Sequence, residues 1–190
     1  IRNTDDEKTQ IKEFIASTFQ RQSSGLLPMP PVSGGDGSTI GYAAEVLRVF
    51  KPKLLVVNLS NIDGCHSNFT GYLQAMHRAD HALGFLWNYI QTIPGMSGKT
   101  IMCYVPECGR NLQHNPILDQ NDWYGYDHGD ANSLRVFGGM VGTTVPSNLM
   151  VGSETNPVGR VTDFNLTIAE ILGYKDDVIN AGYRSEEHTS

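Results

Sequence analysis

Cysteine is scarce, long apolar runs are missing and positive charge is in deficit in this chain of 190 residues. The three cysteines, Cys65, Cys103 and Cys108, are odd in number and show neither the paired spacing of a zinc knuckle nor a redox C-x-x-C, so they do not fix the compartment. Cys103, inside an apolar run, reads as a small core residue. No apolar stretch approaches the roughly 18 to 20 residues that a membrane-spanning helix needs. Lysine and arginine number 14 against 20 aspartates and glutamates, a formal net charge of −6. With no basic run to follow a phosphate backbone, the sequence argues against nucleic acid as a partner. No internal repeat is evident.

What is present suffices for one core. The hydrophobic residues make up 39%, and 20 glycines bring the apolar share to that of an ordinary globular domain, which excludes disorder over most of the length. The chain opens on Ile1, and its first ten residues have neither the basic start nor the apolar middle of a signal peptide. The closing RSEEHTS, residues 184–190, reads either as a polar tail or as translated adapter sequence foreign to the protein. Both ends suggest a fragment of a longer gene.

Apolar residues Ile11, Phe14, Ile15 and Phe19 predict an amphipathic helix from Asp5 to about Gln20. A glycine- and proline-rich connection follows over 22–37. Ser38 is placed to cap a second helix running to about Phe50, with Ala43, Ala44, Val46, Leu47 and Phe50 as its buried stripe. KLLVVNL, residues 53–59, reads as a strand covered on both faces. A long helix comes next, with Phe69, Tyr72, Leu73, Met76, Ala79, Leu83, Leu86, Trp87 and Ile90 on its apolar face. Further strands are expected at 100–105 and 133–137, and a last helix at 161–173 with Gly173 as its stop. The rhythm is that of an α/β domain with a mostly parallel central sheet and helices on both faces, whose ligands lie beyond the strand ends.

The informative polar residues cluster where those strands would end. Asp63 and His66 are separated only by Gly64 and Cys65, so a carboxylate and an imidazole can turn toward one divalent cation, although Asp-Gly is also ordinary turn chemistry. Asp127 and His128, flanked by glycines, form a second doublet. If both doublets face one cleft, ions about 3.5 to 4 Å apart can clamp an anionic ester. Between them, Glu107 is positioned to ligate metal and Arg110 to hold a phosphate or sulfate oxygen pair; the alternative is a Glu–Arg surface ion pair. His77 and His81, four apart on the long helix, permit chelation, but the reading adopted is that Asp80 or Asn88 satisfies them. His114 is either a solvated loop residue or a neighbour of the site. Trp123, Tyr124 and Tyr126 either wall a pocket for a sugar ring or pin a loop.

The order Asp63-x-x-His66, a helix with Asp80 and Gly84, a strand, Asp127-His128-Gly129 and Asp163-x-x-x-Thr167-Ile168 resembles the carboxyl-terminal half of the alkaline-phosphatase and sulfatase superfamily over roughly residues 40–175. Glu107-Cys-Gly-Arg110 followed by Asp-His-Gly is similar to a poorly characterised, often exported bacterial family with W-D-T-H, E-F-G-R-T and D-H motifs. The spacing D-x-x-H in place of D-x-H, Cys108 in place of phenylalanine and Asn111 in place of threonine depart from it.

The resemblance implies a metal-dependent hydrolase of phosphate or sulfate esters, with Asp63, His66, Asp127, His128 and Glu107 as metal residues. The ions would be zinc first, with magnesium, manganese or calcium as alternatives. Arg110 would hold the anion of a small ester or glycan ester, and the nucleophile would lie upstream of Ile1, so the fragment itself would be inactive. The same resemblance points to a periplasmic or exported protein. On this division 1–37 is a leading helix and loop, 38–175 the half-domain and 176–190 a tail. The rival reading is a catalytically silent binding or structural protein.

Overall fold

The structure, a computed structural model, describes residues 3–66, 68–116, 118, 121–122 and 124–182. Trp123 and the RSEEHTS tail, on which two of the expectations above fall, lie outside the described residues. The chain divides into two units, Ile1–Thr100 with Pro116–Gly125, and Ile101–Asn115 with Tyr126–Ser190.

The first unit is built on helices. Thr4 opens α1 (Asp5–Ser23) with a capping box: its hydroxyl accepts from the Glu7 N–H at 3.2 Å while Glu7 Oε2 accepts from the Thr4 N–H at 2.7 Å. The apolar stripe expected to bury this helix is mostly uncovered, since Ile11, Ile15 and Phe19 are exposed and Thr18 is the residue buried. Side chains fasten α1 to α2 (Gly35–Phe50) instead. Phe14 meets Phe50 edge-on at 4.9 Å, Tyr42 donates to Gln22 Oε1 at 2.6 Å, and Arg21 pairs with Glu45 at 3.0 Å. Glu45 is wholly buried, and Arg48 grips it with two hydrogen bonds of 2.6 and 2.9 Å.

The second helix starts at the Gly34 cap, four residues before Ser38, and buries Ile40, Ala43, Ala44 and Leu47 against α3 (Phe69–Thr92). On α3 the buried residues are Ala75, Ala79, Ala82, Leu86 and Ile90, a stripe at steps of three and four whose small members let the two helices approach. Leu73 and Met76, expected on that face, are exposed. Asn68 caps α3 by accepting from the Gly71 N–H at 2.7 Å.

No strand forms at 53–59. Lys51 ends α2 in the left-handed region at φ 46°, Pro52 follows, and the segment continues without ladder partners, leaving Val56 82% exposed. A run of valines and leucines has strand propensity but becomes a strand only when neighbours pair with it. The mostly parallel central sheet with helices on both faces is therefore not the architecture. Among the described residues the sheet has two strands, β1 (Ile101–Tyr104) and β2 (Gly139–Gly142), and they are antiparallel.

These strands lie in the second unit. Tyr104 pairs with Gly139, and a Cβ on that glycine would run into the Tyr104 ring, so the absent side chain is what lets the ring lie across its partner strand. The expected strand at 133–137 is a 3-10 turn, Ala131–Leu134, followed by irregular chain, with the pairing displaced to the residues after Gly138. Asp163 caps α4 (Val161–Leu172) by accepting from the Arg160 N–H at 2.7 Å, and Gly173 closes it at φ 79°, as its position predicts. A short α5 (Lys175–Asn180) follows.

Candidate functional site

The first doublet sits on a turn that is fastened from behind. Asp36, in the first turn of α2, is buried, and its carboxylate accepts from the N–H groups of Ser60 at 2.9 Å and Asn61 at 3.2 Å. Asn61 returns the contact, its Oδ1 accepting from the Asp36 N–H at 3.2 Å. Gly34 has φ 99°, and a Cβ there would stand 2.7 Å from the Asn61 amide nitrogen, so this corner requires glycine. Asn61 begins the 3-10 segment Asn61–His66.

Three residues per turn bring positions i and i+3 of such a segment into line. Asp63 Oδ1 and His66 Nε2 stand 3.1 Å apart, with the carboxylate 73% and the imidazole 38% exposed. Two donors bound at 2.0 to 2.2 Å to one tetrahedral ion are about 3.3 to 3.5 Å apart, so the pair fits a divalent cation after a small opening. The doublet thus occupies a helical turn, not the end of a strand as expected.

The second doublet belongs to the other unit and is held by a different lattice of bonds. The Asn111 N–H donates to the Asp127 carbonyl at 2.8 Å, and Asn111 Oδ1 accepts from the N–H groups of Gly129 at 2.7 Å and Asp130 at 2.9 Å. Asn115 Oδ1 accepts from the Asp127 N–H at 3.1 Å. Asp130 accepts from the Leu112 N–H at 2.9 Å and the Ser133 N–H at 3.0 Å, which holds its carboxyl below the usual carboxylate range, the Leu112 bond contributing most. These contacts brace the two stretches that carry Arg110 and Asp127-His128. Asp127 Oδ1 and His128 Nε2 are 4.0 Å apart, and the same oxygen accepts from the His128 N–H at 2.8 Å. A shared ion here needs a rotation of the Asp127 carboxylate.

Glu107 is exposed, three residues past β1, and makes no ion pair among the described residues, so the Glu–Arg surface pair is not formed. Arg110 is half-buried, and its carbonyl accepts from Asn132 Nδ2 at 2.8 Å. His114 hydrogen-bonds the Asn115 carbonyl at 2.7 Å and stands edge-on to Tyr126, whereas Tyr124 belongs to the first unit. His77 and His81 are exposed neighbours on α3 with ring centroids 4.6 Å apart. Neither Asp80 nor Asn88 hydrogen-bonds them among the described residues, contrary to expectation. Cys103 is half-buried, not a core residue as expected, and its partial burial pushes the thiol up, which makes it a poor nucleophile. A surface depression lined by Phe19, Gln20, Gln22 and Ser23 offers no carboxylate or imidazole.

Sequence reasoning passed over Asp36, Asn61, Asn115 and Asp130, and took Asn111 only as a departure from a motif. Asp130-x-x-Ser133 carried a local signal, an N-cap spacing; the other four act across 12 to 25 residues and left none. The chain matches no protein-family model, no curated protein and no solved structure.

Proposed function

We propose that the chain is part of a metal-dependent hydrolase of phosphate or sulfate esters. Asp63 with His66 and Asp127 with His128 serve as divalent-metal donors, Glu107 adds a carboxylate and Arg110 holds the ester anion. The observation that carries this reading is the 3.1 Å approach of an exposed carboxylate and imidazole on a turn pinned by Asp36 and Asn61. Donors already within reach of one ion, on a scaffold that does not have to reorganise, favour binding. Zinc is the first choice for a nitrogen and oxygen set, ahead of magnesium, manganese or calcium.

An ion held by either doublet would supply Lewis-acid polarisation of a phosphoryl or sulfuryl oxygen. The chain's own residues supply the rest: His66 and His128 offer ring nitrogens, Asp63 and Asp127 offer carboxylate oxygens, and a bidentate guanidinium at Arg110 orients the anion. The reading rests on motif order and donor chemistry alone, because the parallel sheet whose strand ends were expected to carry the doublets is not formed. The nucleophile is assigned to no serine or threonine of this chain, so binding of metal and anion is its part of the activity.

A second reading, a catalytically silent protein that keeps an ion, is favoured by the exposure of both carboxylates, 73% at Asp63 and 54% at Asp127, because electrostatic catalysis gains most where water is excluded. The test is metal content of tag-free protein, stripped with chelator, reconstituted with zinc and desalted. Asp63→Ala and His128→Ala should each lower the bound zinc. Undiminished occupancy in both variants would overturn the assignment, and zinc binding without phosphate or sulfate affinity would leave the silent reading.

A further inference from the structure

The face of α3 opposite its buried alanines carries two imidazoles that the hydrolase reading does not use. His77 and His81 are four residues apart, so they stand one above the other on the helix surface. Their ring centroids are 4.6 Å apart with planes inclined at 60°, both side chains are exposed, and neither accepts or donates a hydrogen bond among the described residues. Two imidazoles at this spacing on one helix face are a chelating arrangement, because the helix holds both side-chain attachment points on one face before the ion arrives.

The next turn on the same face holds Gly84, three residues beyond His81, where an added Cβ would meet nothing within 4 Å. Water can therefore fill the coordination positions that the two nitrogens leave open. Asp80, exposed, and Arg78, half-buried, lie between the two imidazoles in sequence and balance each other in charge. The site is distinct from the Asp63–His66 doublet: Phe69 starts the helix, and His77, eight residues on at 1.5 Å per residue, lies about 12 Å further along its axis.

We infer that His77 and His81 form a solvent-facing bidentate site for a borderline first-row transition-metal ion. Nitrogen donors select copper, nickel and zinc and discriminate against the hard, oxygen-seeking magnesium and calcium. Copper(II) binds most tightly by the general order of divalent affinities. The second imidazole binds an ion already held by the first, so losing either ring removes the chelate advantage, about 100-fold in affinity.

Tag-free chain of all 190 residues, titrated with nickel(II) in millimolar magnesium and followed by calorimetry and by amide NMR shifts, tests the site. His77→Ala and His81→Ala are exposed changes that preserve the helix, which circular dichroism verifies. Each should abolish the tighter nickel step and the nickel-induced shifts over residues 74–84, while Asp63→Ala and His66→Ala leave them in place. A His77→Ala/His81→Ala double variant that binds nickel as the parent does, or loss of those shifts in His66→Ala, would overturn the inference. Neither result bears on the zinc lost or kept in Asp63→Ala and His128→Ala.

Discussion

Asp36 and Asn61 hold each other by reciprocal backbone-to-side-chain bonds, the carboxylate of one accepting from the N–H of the other at 3.2 Å and the amide oxygen returning the contact at 3.2 Å. That clasp ties the start of α2 to the turn that presents Asp63 and His66. It also accounts for the Ser60 N–H, which donates to the same carboxylate at 2.9 Å.

Asp36→Ala leaves two part-buried N–H groups without their acceptor and should cost about 2–3 kcal/mol of stability, measured by urea unfolding. Hydrogen exchange at Ser60 and Asn61 should accelerate, and zinc retention by Asp63 and His66 should fall with it. Asp36→Asn keeps one acceptor oxygen and should lose less. Unchanged exchange at both amides in Asp36→Ala would remove the clasp from the account of the site.

Glu45 is the one carboxylate buried among arginines in the α1–α2 contact, and the Arg48 hydrogen bonds, more than the remaining Coulomb attraction of Arg48 and Arg21, hold its carboxyl below the usual range against the opposing effect of burial. Removing one partner of a buried ion pair costs about 3–5 kcal/mol when the other charge stays buried. Here Arg21 and Arg48 are 33% and 43% exposed and can turn to water. Glu45→Ala should therefore cost about 2–3 kcal/mol, below most of that range. The depressed carboxyl stabilises the fold above the unfolded value of about pH 4.3 and loses that contribution as pH falls through the folded one. Urea midpoints followed from pH 6 downward should drop less steeply in Glu45→Gln than in the parent.

What was legible in advance follows the range of the interactions. The four longer helices announced themselves because each carries a period near 3.6 over three or more turns, together with end signals such as Gly173, whereas α5, under two turns long, falls where a tail was expected. The Asp63–His66 contact was legible from its spacing alone. The sheet was not: Gly139–Gly142 is poor in strand formers and becomes a strand only through pairing with residues 101–104. The same reasoning explains the failure at 53–59, where strong strand formers found no partner. Asn111, noted only as a departure from a motif, turned out to brace the second doublet through bonds to Gly129 and Asp130.

Asp130 offers a second acid-linked test, this time in the Arg110 to Arg135 region. Its carboxyl is held down by the Leu112 N–H first and by the N–H groups of Ser133 and Asn132 after that. The sign is the same as for Glu45: the contribution is present above about pH 3.9 and disappears as pH falls through the folded value. Asp130→Asn should flatten the local acid response without abolishing the turn, because an amide oxygen can still accept one of the bonds. Amide protection at Leu112 and Ser133, taken relative to the intrinsic exchange rate and followed from pH 6 to about pH 2 so that the range runs through the lowered value, reads this directly. An equal pH response in parent and variant would count against it.

Val56 separates the observed architecture from the one its sequence suggested. In a central strand covered on both faces, a lysine at this position would bury an unpaired charge, a change that costs about 3 kcal/mol or more and often abolishes folding. In the structure Val56 is 82% exposed within a segment that has no ladder partners. A surface substitution of this kind stays within about 0.5 kcal/mol of neutral. Val56→Lys should accordingly leave the urea midpoint in place and raise solubility by removing an exposed valine from an unpaired apolar run. Severe destabilisation would mean that the segment is covered in solution, and the exposed course of residues 53–59 would have to be abandoned.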